Sequence, residues 1–185
     1  MQINTLIEYF TKKHSIVFNF KDSLFSGIGK RMLGYYDVKN NEIFVDTFLY
    51  KTERFAFVLA HELGHYVLHN ILKINQKAYD DFEDSEYDFS TNRYLLNNYK
   101  NWIEWQANQF ASCLIMPEFS FITRLSWFQK SIGVSKHGCI YLDNQPINQQ
   151  DFVKIKEYLS EFFNTTQVSI TYRLEDLNLI TDVTR

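Results

Sequence analysis

The stretch Phe55–His69 reads FAFVLAHELGHYVLH, and its interpretation governs the rest of the chain. Within it, HELGH sets His61, Glu62 and His65 in an H-E-x-x-H pattern. On an α-helix residues i and i+4 share a face with Cβ atoms roughly 5–6 Å apart, so two imidazoles can hold one metal ion. In zinc-binding helices of this kind the intervening Glu acts as general base on a water. Nearly all remaining residues from Phe55 to Leu68 are apolar or Gly, which predicts a helix buried on every side. At about 100° per residue, His61, Glu62, His65 and His69 fall within one stripe roughly 100° wide. Burying four such groups costs several kcal/mol unless they are paired, solvated in a cleft or bound to metal. A metal cleft explains all four at once. Gly64 leaves no side chain on the next turn and permits another element to approach closely, at a helix-propensity cost of roughly 1 kcal/mol.

At 185 residues one domain is the default, with room for a small appended subdomain. Such a chain buries about 70% of its unfolded surface and needs no disulfide framework. Its two cysteines, Cys113 and Cys139, have no zinc-ligand spacing and are expected as free thiols. The opening MQINTLIEYFTKKHS shows no basic leader before an apolar run, so a cytoplasmic location is expected. The longest apolar run, Phe55 to Ala60, is far too short for a membrane span. A formal charge of −3 argues against generic nucleic-acid binding.

Working outward, Ile3, Leu6, Ile7 and Phe10 predict an amphipathic helix over 2–13, and Ile16, Phe18 and Phe20 a short strand. Ser26 to Lys30 reads as loop. Met32 to Val38 and Glu42 to Asp46 form a hairpin signal around the turn Lys39–Asn41, and a sheet edge there could take an extended peptide by strand addition. Thr52 is the expected N-cap of the histidine helix, which should run to about Asn70. The acidic run from Asp80 to Asp88 holds six acids in nine residues and reads as a solvated loop. Helices are expected over Trp102–Ile115, Phe119–Ser131, Asn148–Phe163 (capped by Asn148) and Gln167–Leu177, with a short strand at Cys139–Leu142. The fold class is therefore α+β, mostly helical, with a small β-sheet preceding the histidine helix.

Two residues compete to complete the metal site. His69 lies two turns beyond His61, about 12 Å along a straight helix, too far to share one ion with both other histidines. It is expected behind the ligands or in a structural role. Glu104 comes from a separate helix and can approach from the side, giving His, His, Glu and an open position. Asn108, one turn on, could hydrogen-bond a ligand imidazole from behind.

HELGHYVLH followed by EWQANQFASCLIMP (residues 104–117) resembles the ImmA/IrrE family of metallo-endopeptidases. The matching positions are His61, Glu62, His65, Glu104, Ala107, Asn108, Phe110, Ala111, Leu114, Met116 and Pro117. Ile115 stands where Leu is usual. The likeness reaches from about Tyr35 to Pro117, with a weaker echo in VSITYRLEDLNLI. It implies a zincin-like fold, His61, His65 and Glu104 as zinc ligands (manganese being the other ion such a set suits), Glu62 as general base, and Asn108 where the family uses Asn or Asp. It also implies a protein substrate, a helix-turn-helix repressor encoded nearby. Residues 1–135 are expected as the zincin-like domain and 136–185 as a helical extension packed on it. That extension resembles a helix-turn-helix, but Asn148–Asn178 carries three basic residues against five acidic, so DNA binding is not expected. No membrane association is expected. The alternative to an enzyme is a metal-dependent regulator that sequesters a transcription factor without cutting it. Arg173, Tyr172, His137 and Tyr141 are the candidates for stabilising an oxyanion.

Overall fold

In the computed structural model, residues 3–25, 29, 31–69, 87–88, 93–94 and 99–184 are described. They form two compact units, residues 1–111 and 112–185. The first opens with helix α1 (Ile3–His14), whose apolar stripe buries Leu6 and Phe10 and whose last turn carries Lys12, Lys13 and His14, cations suited to a helix C-terminus. Strands β1 (Val17–Asn19), β2 (Gly34–Asp37) and β3 (Glu42–Val45) follow, with β3 in the middle of the sheet.

The expected hairpin is β2 and β3, paired antiparallel from Gly34 opposite Val45 to Asp37 opposite Glu42. Asp37 closes its turn: the backbone N–H groups of Lys39 and Asn40 both donate to Asp37 Oδ1. Asn41 accepts the left-handed conformation that this turn needs, at φ 51°. Its side-chain amide donates to the carbonyls of His14 and Ser15, tying the hairpin to the end of α1. The parallel pairing of β1 with β3 had no counterpart in the sequence reading.

Helix α2 (Phe55–Gly64) packs on β2 and β3 and passes into a wider π-type turn over His65–His69. Leu59, Ala60 and Leu63 have no exposed surface, but burial does not extend all round to Leu68 as expected: Val67 and Leu68, in the π-type turn, are each 43% exposed. Burying a Leu side chain contributes about 1.5–3 kcal/mol, so α2 is held by packing rather than by caps. Thr52 does not cap it. The helix starts at Phe55, and the Thr52 hydroxyl donates to the Leu49 carbonyl at 2.7 Å, closing the preceding turn instead. Strands β4 (Tyr87–Asp88) and β5 (Arg93–Tyr94) pair antiparallel. The rest of the acidic run 80–88 lies outside the described residues, as does most of the loop 26–30. Helix α3 (Tyr99–Ile115) then carries Ile103, Ala107 and Ala111 inward.

The second unit holds the end of α3, helices α4 (Glu118–Ser131), α5 (Pro146–Phe163) and α6 (Gln167–Asp176), and strands β6 (Ile140–Leu142) and β7 (Ile180–Asp182), which pair in parallel. Phe121, Leu125, Leu159, Ile170 and Leu174 are fully buried in it. Helix α5 begins two residues before the expected cap. Pro146 takes the first helical position, where its missing N–H leaves nothing unsatisfied, and Asn148 donates to Asp143 Oδ1 at 2.9 Å. Among the described residues no helix is long and apolar enough to cross a membrane.

One buried charge anchors the sheet side of the first unit. Asp46 is 1% exposed and accepts from Arg31 and from the backbone N–H groups of Leu24 and Phe48. The Arg31 hydrogen bond, opposed by burial and helped by the two amides, holds the carboxyl near 2 against an ordinary 3.8. A depressed folded-state value means stability that is present above about 3.8 and lost as pH falls through about 2. Arg31 is half-exposed, so screening reduces the full linkage value to about 1–2 kcal/mol. Asp46→Asn should therefore be less stable than the parent by about that amount at neutral pH. The gap should close as pH drops towards 2, as read by denaturant melts of both proteins across that range.

Candidate metal centre

The i, i+4 spacing on α2 brings the imidazoles of His61 and His65 together, with their Nε2 atoms 2.9 Å apart. Glu104, from α3, meets both: its carboxylate oxygens lie 3.1 Å from His61 Nε2 and 3.6 Å from His65 Nε2. The ligand atoms of these three residues all fall within 4.8 Å of one another, a group that could hold a metal ion. Among the described residues no other cluster does so. Two imidazole nitrogens and a carboxylate packed this closely are compatible only through a shared proton or a shared cation. Imidazole and carboxylate donors suit borderline divalent ions, so the residues present fit a metal.

Each imidazole is also held from behind. Asn108 Oδ1 lies 2.8 Å from His61 Nδ1, so the ring donates there and turns its Nε2 to the centre. His65 Nδ1 faces His69 Nδ1 at 3.0 Å, and His69 Nε2 faces Gln106 Oε1 at 3.0 Å. Glu62 is 6% exposed and adjacent to His61 in sequence. Strand β2 crosses it so closely that a Cβ at Gly34 would stand 3.0 Å from Glu62 Oε1, 3.0 Å from Val58 Cγ1 and 2.9 Å from the Phe44 carbonyl oxygen. Only glycine fits there.

The electrostatics follow from burial and proximity. Burial raises the Glu62 carboxyl to about 7; the His61 charge opposes this and Glu104 reinforces it. Burial also pushes Glu104 upward, but the hydrogen bonds and charges of His61 and His65 prevail and keep it far below the usual carboxylate range. For His61, burial lowers the imidazole, yet Glu104, Glu62 and Asn108 together raise it above its ordinary value. His65 is lowered, because burial, with the His61 and His69 charges, outweighs Glu104. The carboxylate thus stays ionised beside two histidines, while the neighbouring Glu62 sits where it can gain or lose a proton near neutrality.

The family model of the IrrE N-terminal-like domain, Peptidase_M78, matches residues 11–175. The chain belongs to this family. As an IrrE N-terminal-like domain it is a metallopeptidase-like domain of the ImmA/IrrE type with the α+β, zincin-like fold. No curated protein matches it.

In this IrrE-like domain the structure brings together His61, His65 and Glu104, with Asn108 behind His61 and Glu62 alongside. His69 is not part of the cluster and stands behind His65. Gln106 and Gly34 escaped the sequence reading. Gln106 is two residues from Glu104, off its helical face, and Gly34 lies in a strand whose approach to Glu62 depends on long-range packing. Of the oxyanion candidates, Arg173 is 4% exposed and donates to the Met116 carbonyl at 3.1 Å and to Cys113 Sγ, which gives it a structural task within the second unit. The exposed His137 ring donates to the Val134 carbonyl. Both cysteines are free.

Glu104 reaches the histidines because α2 and α3 nearly touch at Gly64. A Cβ there would lie 3.1 Å from Ala107 Cα, 3.2 Å from the Ala107 carbonyl oxygen and 3.2 Å from Phe110 Cδ1. An added methyl meets backbone that must yield by tenths of an ångström, and the roughly 1 kcal/mol gain in helix propensity offsets much of that. A β-branched side chain overpacks the contact, at about 1–3 kcal/mol. Gly64→Val should therefore lose stability on that scale in denaturant melts and bind divalent metal at least tenfold more weakly by calorimetry, while Gly64→Ala stays near the parent in stability.

Proposed function

We propose that this domain is a zinc-dependent endopeptidase whose substrate is a helix-turn-helix transcriptional repressor encoded nearby. The observation that carries the reading is the convergence of His61, His65 and Glu104, with Glu62 buried next to them, in a member of a metallopeptidase family. His61, His65 and Glu104 would hold the ion, and three protein ligands leave a coordination position open. Bound there, zinc supplies Lewis acidity towards a water and a substrate carbonyl; manganese is the other ion that this donor set suits.

The chain's own residues do the remaining work. Glu62 accepts a proton from the attacking water and passes it to the leaving amine. Burial favours the protonated form of this carboxyl, which helps it hold the proton before passing it on. Asn108 fixes the ring of His61 through its Nδ1. Gly34 lets β2 pass over Glu62 without displacing its carboxylate. As an edge of the three-stranded sheet, β2 offers backbone groups on which an extended substrate segment can align by strand addition. Residues 1–135 carry this chemistry, and residues 136–185 are a helical extension without DNA binding, given the excess of acidic side chains over Asn148–Asn178. A reducing cytoplasm suits the two exposed free thiols.

Incubation of the purified protein with the small helix-turn-helix protein encoded beside it, with zinc and with a chelator, tests the proposal. New fragments that depend on metal support it; a stable, uncut complex would make the protein a sequestering regulator instead. Glu62→Gln should keep its zinc and lose cleavage by at least a thousandfold, whereas Glu104→Ala should lose the metal. Cleavage by Glu62→Gln at the parent rate would sink the mechanism.

A further inference from the structure

His61, His65 and His69 form a continuous row, yet only the first two reach Glu104. The third is 4% exposed, makes no direct contribution to the ligand cluster, and points one nitrogen at His65 and the other at Gln106. Across the 3.0 Å separation of His65 Nδ1 and His69 Nδ1, one nitrogen must donate and the other accept. The far end of the row decides which. Gln106 presents its side-chain oxygen, an acceptor only, 3.0 Å from His69 Nε2, so that nitrogen carries the proton. A neutral His69 protonated on Nε2 has a bare Nδ1, which accepts from His65 Nδ1–H. His65 is then left with a lone pair on Nε2, the atom facing His61 and Glu104.

The geometry points to a tautomer relay in which Gln106 and His69 hold His65 with its proton on Nδ1 and its Nε2 lone pair turned to the metal position. The inference rests on the metal site proposed above, and it makes His69 and Gln106 positioning residues. Run in reverse, with the Gln106 amide donating, the same row would place a proton on His65 Nε2 and block coordination. Asn108 does for His61 directly what Gln106 does for His65 through one intervening ring. Helix α3 therefore supplies the carboxylate and both outer acceptors.

Zinc affinity, read by competition with a chromophoric chelator, and the His65 tautomer, read by ¹⁵N NMR of the metal-free protein at mildly alkaline pH, test the relay together. The parent should show His65 protonated on Nδ1. His69→Phe, which keeps a ring but no nitrogen, should bind zinc about 10–100-fold more weakly and lose that tautomer. Gln106→Met lies at an exposed position where folding is not at stake, and should give the same tautomer change with a smaller loss of affinity. Gln106→Glu, an acceptor that cannot donate, should restore the parent tautomer. A purely structural role would lower the melting temperature of His69→Phe and leave the tautomer untouched. His65 protonated on Nε2 in the parent, or parent-like tautomer and affinity in both His69→Phe and Gln106→Met, would overturn the relay. Failure of the parent to take up any divalent ion would instead remove the metal site, while the tautomer spectrum would still decide the relay.

Discussion

A methyl group on residue 64 would sit 3.1 Å from the Cα of Ala107, and the candidate site depends on that narrow gap between α2 and α3. A carboxylate cannot be buried beside two imidazoles unless the backbones carrying them approach closely enough for contacts near 3 Å. Removing one member of such a set leaves the others desolvated and unpaired, at a cost of several kcal/mol. Gly64 and Ala107 supply the approach by having almost nothing to place between the helices. The helix-propensity loss of a central glycine, roughly 1 kcal/mol, is small against that penalty. The same economy of side chain recurs at Gly34, where β2 lies against the Glu62 carboxylate.

Burial sorts the two glutamates into different states. Both lose water, which raises a carboxyl, but Glu104 faces His61 and His65 and is driven down, whereas Glu62 gains too little from His61 to compensate and stays high. One carboxylate is thereby kept charged, as the proposed ligand role needs, and the other is kept able to carry a proton, as the proposed general-base role needs. The difference does not lie in residue type. It comes from which side of α2 each group meets, and hence from the packing of α3 on one side and β2 on the other.

This explains what could be read without coordinates. His61, Glu62 and His65 lie within one helical turn or so, and local periodicity alone places them. Glu104 and Asn108 share a face at i, i+4 spacing, so their pairing was also legible once α3 was recognised. The Asn41 turn followed from local chemistry. Gln106 did not, because it acts across a ring contributed by another helix rather than along its own face. The parallel pairing of β6 with β7 was equally invisible: two three-residue strands separated by two helices carry no local signal of each other. Helix starts failed where several polar residues competed, since Thr52 and Asn148 both have cap chemistry but are drawn to Leu49 and Asp143 instead.

The row of hydrogen bonds behind the proposed ligands bears on why α3 carries polar residues at 104, 106 and 108. A helix that only filled the core would need one apolar stripe, which Ile103, Ala107 and Ala111 already provide. The three polar positions interleave with that stripe and each ends on an imidazole of the α2 row: Glu104 on His61 and His65, Asn108 on His61, Gln106 on His69. Because all three are fixed to one rigid helix, a displacement of α3 along α2 changes ligand distance and ring orientation together. Such a site tolerates little independent adjustment of its parts, and its geometry is set by the contact at Gly64 more than by any single hydrogen bond.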